Sequence, residues 1–235
     1  MEEKIESILE KSWDDFINYF DINAASCARR YFDKHLRALT EKKAKEELNE
    51  LHWICWNESD LMVQVSKYFY NRLSKEQDLN KDFLNIEMHF DKNLNYSNFE
   101  DYSFDLILKN GKLEEELNRF NKPDDKHRKY PKLDLIITSE DDYGPFLLCA
   151  EAKCFHANVM YGNVEKAIEK DIKTLSAIEK LGITKKIAYI IFDDYFYNLP
   201  NKKDLKKIAE HYSKVHGVEE KLKILHHDSK SKLIV

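Results

Sequence analysis

Three charged residues lie in stretches that otherwise read as buried strand. Asp134 sits inside Leu133-Asp134-Leu135-Ile136-Ile137, and Glu151 and Lys153 follow the run Phe146-Leu147-Leu148-Cys149-Ala150. An unpaired carboxylate or ammonium is expensive to remove from water, so these groups must find partners in one another or in a cation. Two carboxylates converging on one point make a hard oxygen site suited to Mg²⁺ or Mn²⁺. A lysine beside such a cation can orient a water and stabilise charge developing on a phosphate.

The elements that must position these groups can be read from alternation and turn chemistry. Side chains alternate faces along a strand, so Glu151 and Lys153 share one face and Ala152 takes the other. Asp141, Asp142 and Gly144-Pro145 mark the intervening segment as a turn. A hairpin there brings Asp134 beside the Glu151/Lys153 edge. Acid-x-Lys also occurs at Glu2/Lys4, Glu41/Lys43, Asp124/Lys126, Asp171/Lys173, Asp204/Lys206 and Glu219/Lys221, all in polar or helical sequence. Among these pairs, Glu151/Lys153 alone ends an apolar run with a strand aspartate upstream.

The pattern Pro131-Lys132-Leu133-Asp134, then Glu151-Ala152-Lys153, resembles that of the PD-(D/E)xK nuclease superfamily, the restriction-endonuclease-like fold. It departs from the family pattern in one respect: the proline stands three residues before the aspartate rather than beside it. The resemblance spans roughly residues 55–200. It implies an α/β fold with a mixed central sheet flanked by helices, an αβββαβ core. It also implies catalytic roles for Asp134, Glu151 and Lys153, and Mg²⁺ or Mn²⁺ held by Asp134, Glu151 and the Ala152 carbonyl. Family members often place a glutamate near the start of a helix before the sheet, within reach of the metal, and Glu58 is the matching position. The implied substrate is DNA, in defence, repair or mobile-element biology. Two other classes stay open: an inactive nuclease-fold binding module, and a helical interaction protein led by residues 1–50.

The chain divides accordingly into a helical N-terminal extension over residues 1–50 and a nuclease-like domain over 51–235. Ile5, Ile8, Leu9, Trp13, Phe16, Ile17 and Phe20 form one apolar stripe. The extension reads as a dimerisation or recognition element, or as helices packed onto the core. A helix opening at Asn57-Glu58-Ser59-Asp60 carries Leu61, Val65, Tyr68, Phe69 and Leu73 on one face. Phe83–Phe90 reads as the first strand, with the direction of Glu87 open, and the residues before Asn110-Gly111 as a short strand whose Asp105 is a lesser rival to Asp134. A helix from Val164 ends at Gly182, with Lys170, Asp171 and Lys173 read as its solvated face. Lys186–Tyr195 reads as a strand buried on both faces. A helix over Asp204–Val215 and a strand over Leu222–Leu225 follow, with His226-His227-Asp228 read as a turn.

Charged residues make up 34 % of the 235-residue chain and hydrophobic ones 43 %, a globular balance, and the net charge of −5 argues against indiscriminate binding to nucleic acid. Lys126, His127, Arg128, Lys129 and Lys132 flank the Asp134 strand as a basic rim suited to a phosphate backbone. Cys27, Cys55, Cys149 and Cys154 form no CxxC and read as free thiols. No membrane span or signal peptide is read, and a cytoplasmic protein is expected. Five glycines and no Walker or GxGxxG loop weigh against a nucleotide cradle.

Overall fold

The computed structural model describes residues 1–20, 58–78, 80–83, 85–93, 132–139, 145–155, 164–193 and 204–228. Among them are four α-helices, α1 (Glu2–Phe20), α2 (Glu58–Gln77), α3 (Val164–Lys180) and α4 (Leu205–Val215). Five strands, β1 (Glu87–Asn93), β2 (Lys132–Thr138), β3 (Leu148–Phe155), β4 (Ile187–Asp193) and β5 (Leu222–Asp228), form one mixed sheet in the order β1-β2-β3-β4-β5. The β1/β2 and β2/β3 pairs are antiparallel, whereas β3/β4 and β4/β5 are parallel. Parallel neighbours require a crossover, and α3 and α4 lie in those two connections.

Each face of the sheet carries its own core. Leu148, Ala150, Ala152, Ala188, Ile190 and Phe192 bury against α1 and α2. Cys149, Ile187, Tyr189 and Ile191 bury against α3 and α4. The alternation along β3 and β4 is the period-2 pattern of a strand covered on both sides, and all seven residues of β4 are buried. Helix α3 ends where Gly182 adopts φ +71°, and Ile183 N then bonds back to Ile178 O at 3.1 Å. That left-handed stop favours glycine. Asp204 caps α4 by accepting from Lys207 N at 3.1 Å.

Of the two readings left open for the N-terminal helix, α1 follows the one in which it packs onto the core. Ile5, Leu9, Trp13, Phe16 and Phe20 belong to the same core as α2 and the sheet. The Phe20 ring meets Phe192 of β4 edge-on at 4.8 Å, and Phe16 lies 5.6 Å from the same ring. Asp15 takes both arms of the Arg72 guanidinium, at 2.7 and 2.8 Å, tying α1 to α2. Thus α1 is a layer of the domain; residues 21–50 and the boundary drawn at residue 50 lie outside the described residues.

Two expectations are corrected. The first strand begins at Glu87 rather than Phe83: Lys81–Phe83 form a 3₁₀ turn, held where Gln77 Nε2 donates to Phe83 O at 2.9 Å. The Glu87 side chain is 69 % exposed and lies 3.4 Å from His89 Nε2. His226, His227 and Asp228 continue β5 instead of turning, paired with Ile191, Phe192 and Asp193. The reason is packing: the His227 ring stacks on Phe192 at 5.3 Å and fills an inward position of the strand. Among the described residues no helix is long and apolar enough to cross a membrane. Asp105, the strand before Asn110-Gly111, Cys27, Cys55 and the rim residues 126–129 lie outside the described residues.

Phe16 is fully buried. Phe16→Ala is expected to destabilise the whole domain by about 3–5 kcal/mol, the usual loss for a buried ring. Urea unfolding measures this, and a loss of less than about 1 kcal/mol would return α1 to the status of an appendage.

Candidate active site

The β2/β3 ladder holds at Ile137↔Leu148, Ile136↔Cys149 and Leu135↔Ala150, and goes no further among the described residues. Beyond Ala150 the two strands no longer exchange backbone bonds. Ala152 therefore needs other partners for peptide groups that a continued ladder would have satisfied. Asp134 Oδ2 accepts from Ala152 N at 2.8 Å, and Lys153 Nζ donates to Ala152 O at 2.9 Å. The local departure from regular pairing is thus held by two of the three charged residues noted in the sequence.

Lys153 Nζ is surrounded by acids. Asp171 Oδ2 of α3 lies at 3.2 Å, Glu58 Oε1 of α2 at 3.3 Å and Asp134 Oδ2 of β2 at 3.9 Å. Burial disfavours the ammonium, yet Asp171, Glu58, Asp134 and Glu151 together hold its pKa above the ordinary lysine value, so it stays charged. Glu151 is buried on β3. Burial first, then the charges of Asp134 and Asp171, push its pKa well above the usual carboxylate range, and Lys153 offsets this only in part. Burial also raises Asp171, against the pull of Lys153. Tyr189 of β4 donates its hydroxyl to Asp171 Oδ2 at 3.3 Å. Burial, then the Asp171 charge, keeps that phenol protonated well above its ordinary value.

The structure brings Asp134, Glu151, Ala152, Lys153 and Glu58 to one place. Glu58 arrives because it is the first residue of α2, whose Leu61, Met62, Val65, Phe69 and Leu73 are buried and fix the helix on the sheet. Lys132, the one described residue of the proposed basic rim, is instead paired with Asp91 at 2.8 Å.

Two residues of the cluster were not anticipated. Asp171 was read as solvated helix face, but it is 7 % exposed and faces the lysine. Its spacing carries the missed signal: Val164, Ile168, Asp171, Leu175 and Ile178 fall at alternating steps of four and three, so Asp171 occupies an apolar stripe position. Tyr189 lies in an apolar run, where its hydroxyl needs a buried partner that local sequence does not identify.

The donor set suits a hard cation. The Asp134 and Glu151 carboxyl groups and the Ala152 carbonyl are all oxygen donors, and the raised pKa of Glu151 means that a divalent ion would compete there with a proton. Among the described residues no group of three or more His, Cys, Asp or Glu is already arranged to hold a metal. The Lys153 ammonium is the cation around which Glu58, Asp134 and Asp171 now gather. Comparison with protein-family models, curated proteins and solved structures gave no match.

The raised pKa of Glu151 has a signed consequence. In the unfolded chain Glu151 ionises in the ordinary range, whereas the fold retains its proton to higher pH. The folded state then binds more protons, so stability falls as pH rises from the ordinary glutamate value toward the folded one. Asp171 adds to the same slope. In EDTA, Glu151→Gln is expected to flatten the decline and to be more stable than wild type at neutral pH. Urea unfolding from about pH 4 to 8 tests this; identical profiles for the two proteins would contradict the assignment.

Proposed function

We propose that the protein is a Mg²⁺-dependent nuclease of the PD-(D/E)xK type that hydrolyses phosphodiester bonds of DNA. The observation that carries this reading is the meeting of Asp134, Glu151 and Lys153 where β2 and β3 part, with both Ala152 peptide groups engaged by Asp134 and Lys153. The order helix, three antiparallel strands, crossover helix, parallel strand supports it as the αβββαβ arrangement.

Asp134, Glu151 and the Ala152 carbonyl would hold the cation, with Glu58 at hand on α2. When bound, a divalent ion neutralises phosphate charge and lowers the pKa of water. The chain's own contribution centres on Lys153. Its ammonium is kept charged by the surrounding acids, and it stands ready to orient the attacking water and to offset charge gained by the phosphate. Asp134 holds the Ala152 peptide in place from the opposite strand, which fixes the carbonyl and the lysine that follows it. The apolar layers on both sheet faces hold these donors rigidly.

A second reading, an inactive nuclease-fold binding module, is favoured by one feature: Lys153 already has a carbonyl and two carboxylates within reach of its three N–H donors. The decisive assay presents linear, circular and single-stranded DNA, and RNA, with Mg²⁺, Mn²⁺ or EDTA. Cleavage that requires the metal supports the nuclease; binding without cleavage under every condition supports the module.

Two outcomes follow from the assignment. Calorimetry with Mn²⁺ is expected to show one binding event that strengthens as pH rises, because a ligand must lose its proton, and that Asp134→Asn abolishes. Equal binding by the two proteins would move the metal elsewhere. Lys153→Ala is expected to lose cleavage by about 10²-fold or more, the scale of one electrostatic stabiliser. DNA affinity should change far less, since a single lysine is a small part of phosphate binding. A variant that cuts as fast as wild type would remove Lys153 from the chemistry.

A further inference from the structure

We infer that Asp171, braced by Tyr189, is a positioning residue that fixes the Lys153 ammonium against the Ala152 carbonyl and leaves its remaining donor for substrate. The inference rests on the nuclease reading for its catalytic consequence, and on geometry alone for the contact itself.

A lysine ends in three N–H donors on a flexible four-carbon stem, and an isolated carbonyl does not hold it in one orientation. Here the donors face Ala152 O at 2.9 Å, Asp171 Oδ2 at 3.2 Å and Glu58 Oε1 at 3.3 Å. The three partners differ in how firmly they are fixed. Ala152 is backbone in a central strand. Asp171 projects from the middle of α3, its side chain 10 % exposed, and receives the Tyr189 hydroxyl at 3.3 Å from the fully buried ring on β4. Glu58 stands at the first turn of α2 with its side chain 42 % exposed. The donor aimed at Glu58 is therefore the one that a phosphate oxygen or a water can take over from the solvent side. The other two are held by the strand backbone and by a carboxylate nearly closed to solvent.

Asp171 is costly where it stands. A carboxylate in an apolar stripe is retained against a desolvation penalty, and an apolar residue at this position would pack against α3's neighbours without that penalty. The Tyr189 hydroxyl has the same orientation toward a single target. Together they link the crossover helix and the central parallel strand to the reacting lysine, outside the Asp134, Glu151 and Lys153 set.

The test uses the full chain with ¹⁵N-labelled lysine, and reads the Lys153 ammonium by NMR alongside cleavage kinetics. A held ammonium exchanges slowly and gives a resolved signal, which Lys153→Met identifies. Asp171→Asn, similar in shape but uncharged, is expected to broaden or erase that signal. It should lower kcat by roughly 10- to 100-fold with KM for DNA unchanged, the range for groups that orient a reacting residue. Asp171→Glu should recover part of the rate. If Asp171→Asn does not fold by circular dichroism, Tyr189→Phe, which removes only a hydroxyl, decides: the signal should weaken and kcat fall with KM held. An undisturbed Lys153 signal, or a lost signal with full kcat, overturns the inference. If wild type cuts nothing, the nuclease reading has failed, and the inference is then judged on the ammonium signal: loss in Asp171→Asn supports it, persistence overturns it.

Discussion

The pairing of one largely buried ammonium with several carboxyl groups is the interaction on which the centre of this molecule depends. Without Lys153, Asp134 and Asp171 would face each other and Glu151 across an interior too poor in water to screen them. With it, each acid has a charge or a hydrogen bond to answer, and the strands can part without leaving the Ala152 peptide groups unpaired. Such an arrangement contributes little net stability, because desolvation consumes much of the attraction. It is therefore a poor account of how the fold is held.

The rest of the fold positions this cluster from four directions. Strand β2 delivers Asp134, β3 delivers Glu151 and Lys153, α2 delivers Glu58 and α3 delivers Asp171. None of these elements is adjacent to all the others in sequence; the sheet makes them neighbours. Helix α1 contributes no group to the site, but it packs on α2 and β4 and so fixes two of the walls. That is why an element with no chemistry of its own cannot be separated from the chemistry.

Much of this was legible in local pattern. Charges embedded in apolar runs exposed Asp134 and the Glu151/Lys153 pair, because burial makes such residues conspicuous. Regular periodicity revealed α1, α2, α3 and β4. The extent of β5 was not legible, since His226-His227-Asp228 has the composition of a turn and joins a strand only because β4 provides a partner and Phe192 a ring to stack on. Asp171 was missed because a lone acid among Lys170 and Lys173 looks solvated until the phase of the helix is fixed by its neighbours. Whether α1 stood apart or packed down could not be decided from its own stripe, which says that a face is buried but not against what.

The place of α1 also bears on how the molecule comes to be made. Glu2 pairs with Lys185, 183 residues away along the chain, and Phe20 closes on Phe192 and on His227 of the last described strand. Contacts of such long sequence separation cost more loop-closure entropy than local ones. Helix α2 can cover part of the α1 stripe early, but the face that meets Phe192 and His227 stays uncovered until β4 and β5 have been made. Apolar surface left open in that interval is prone to associate until the sheet closes over it.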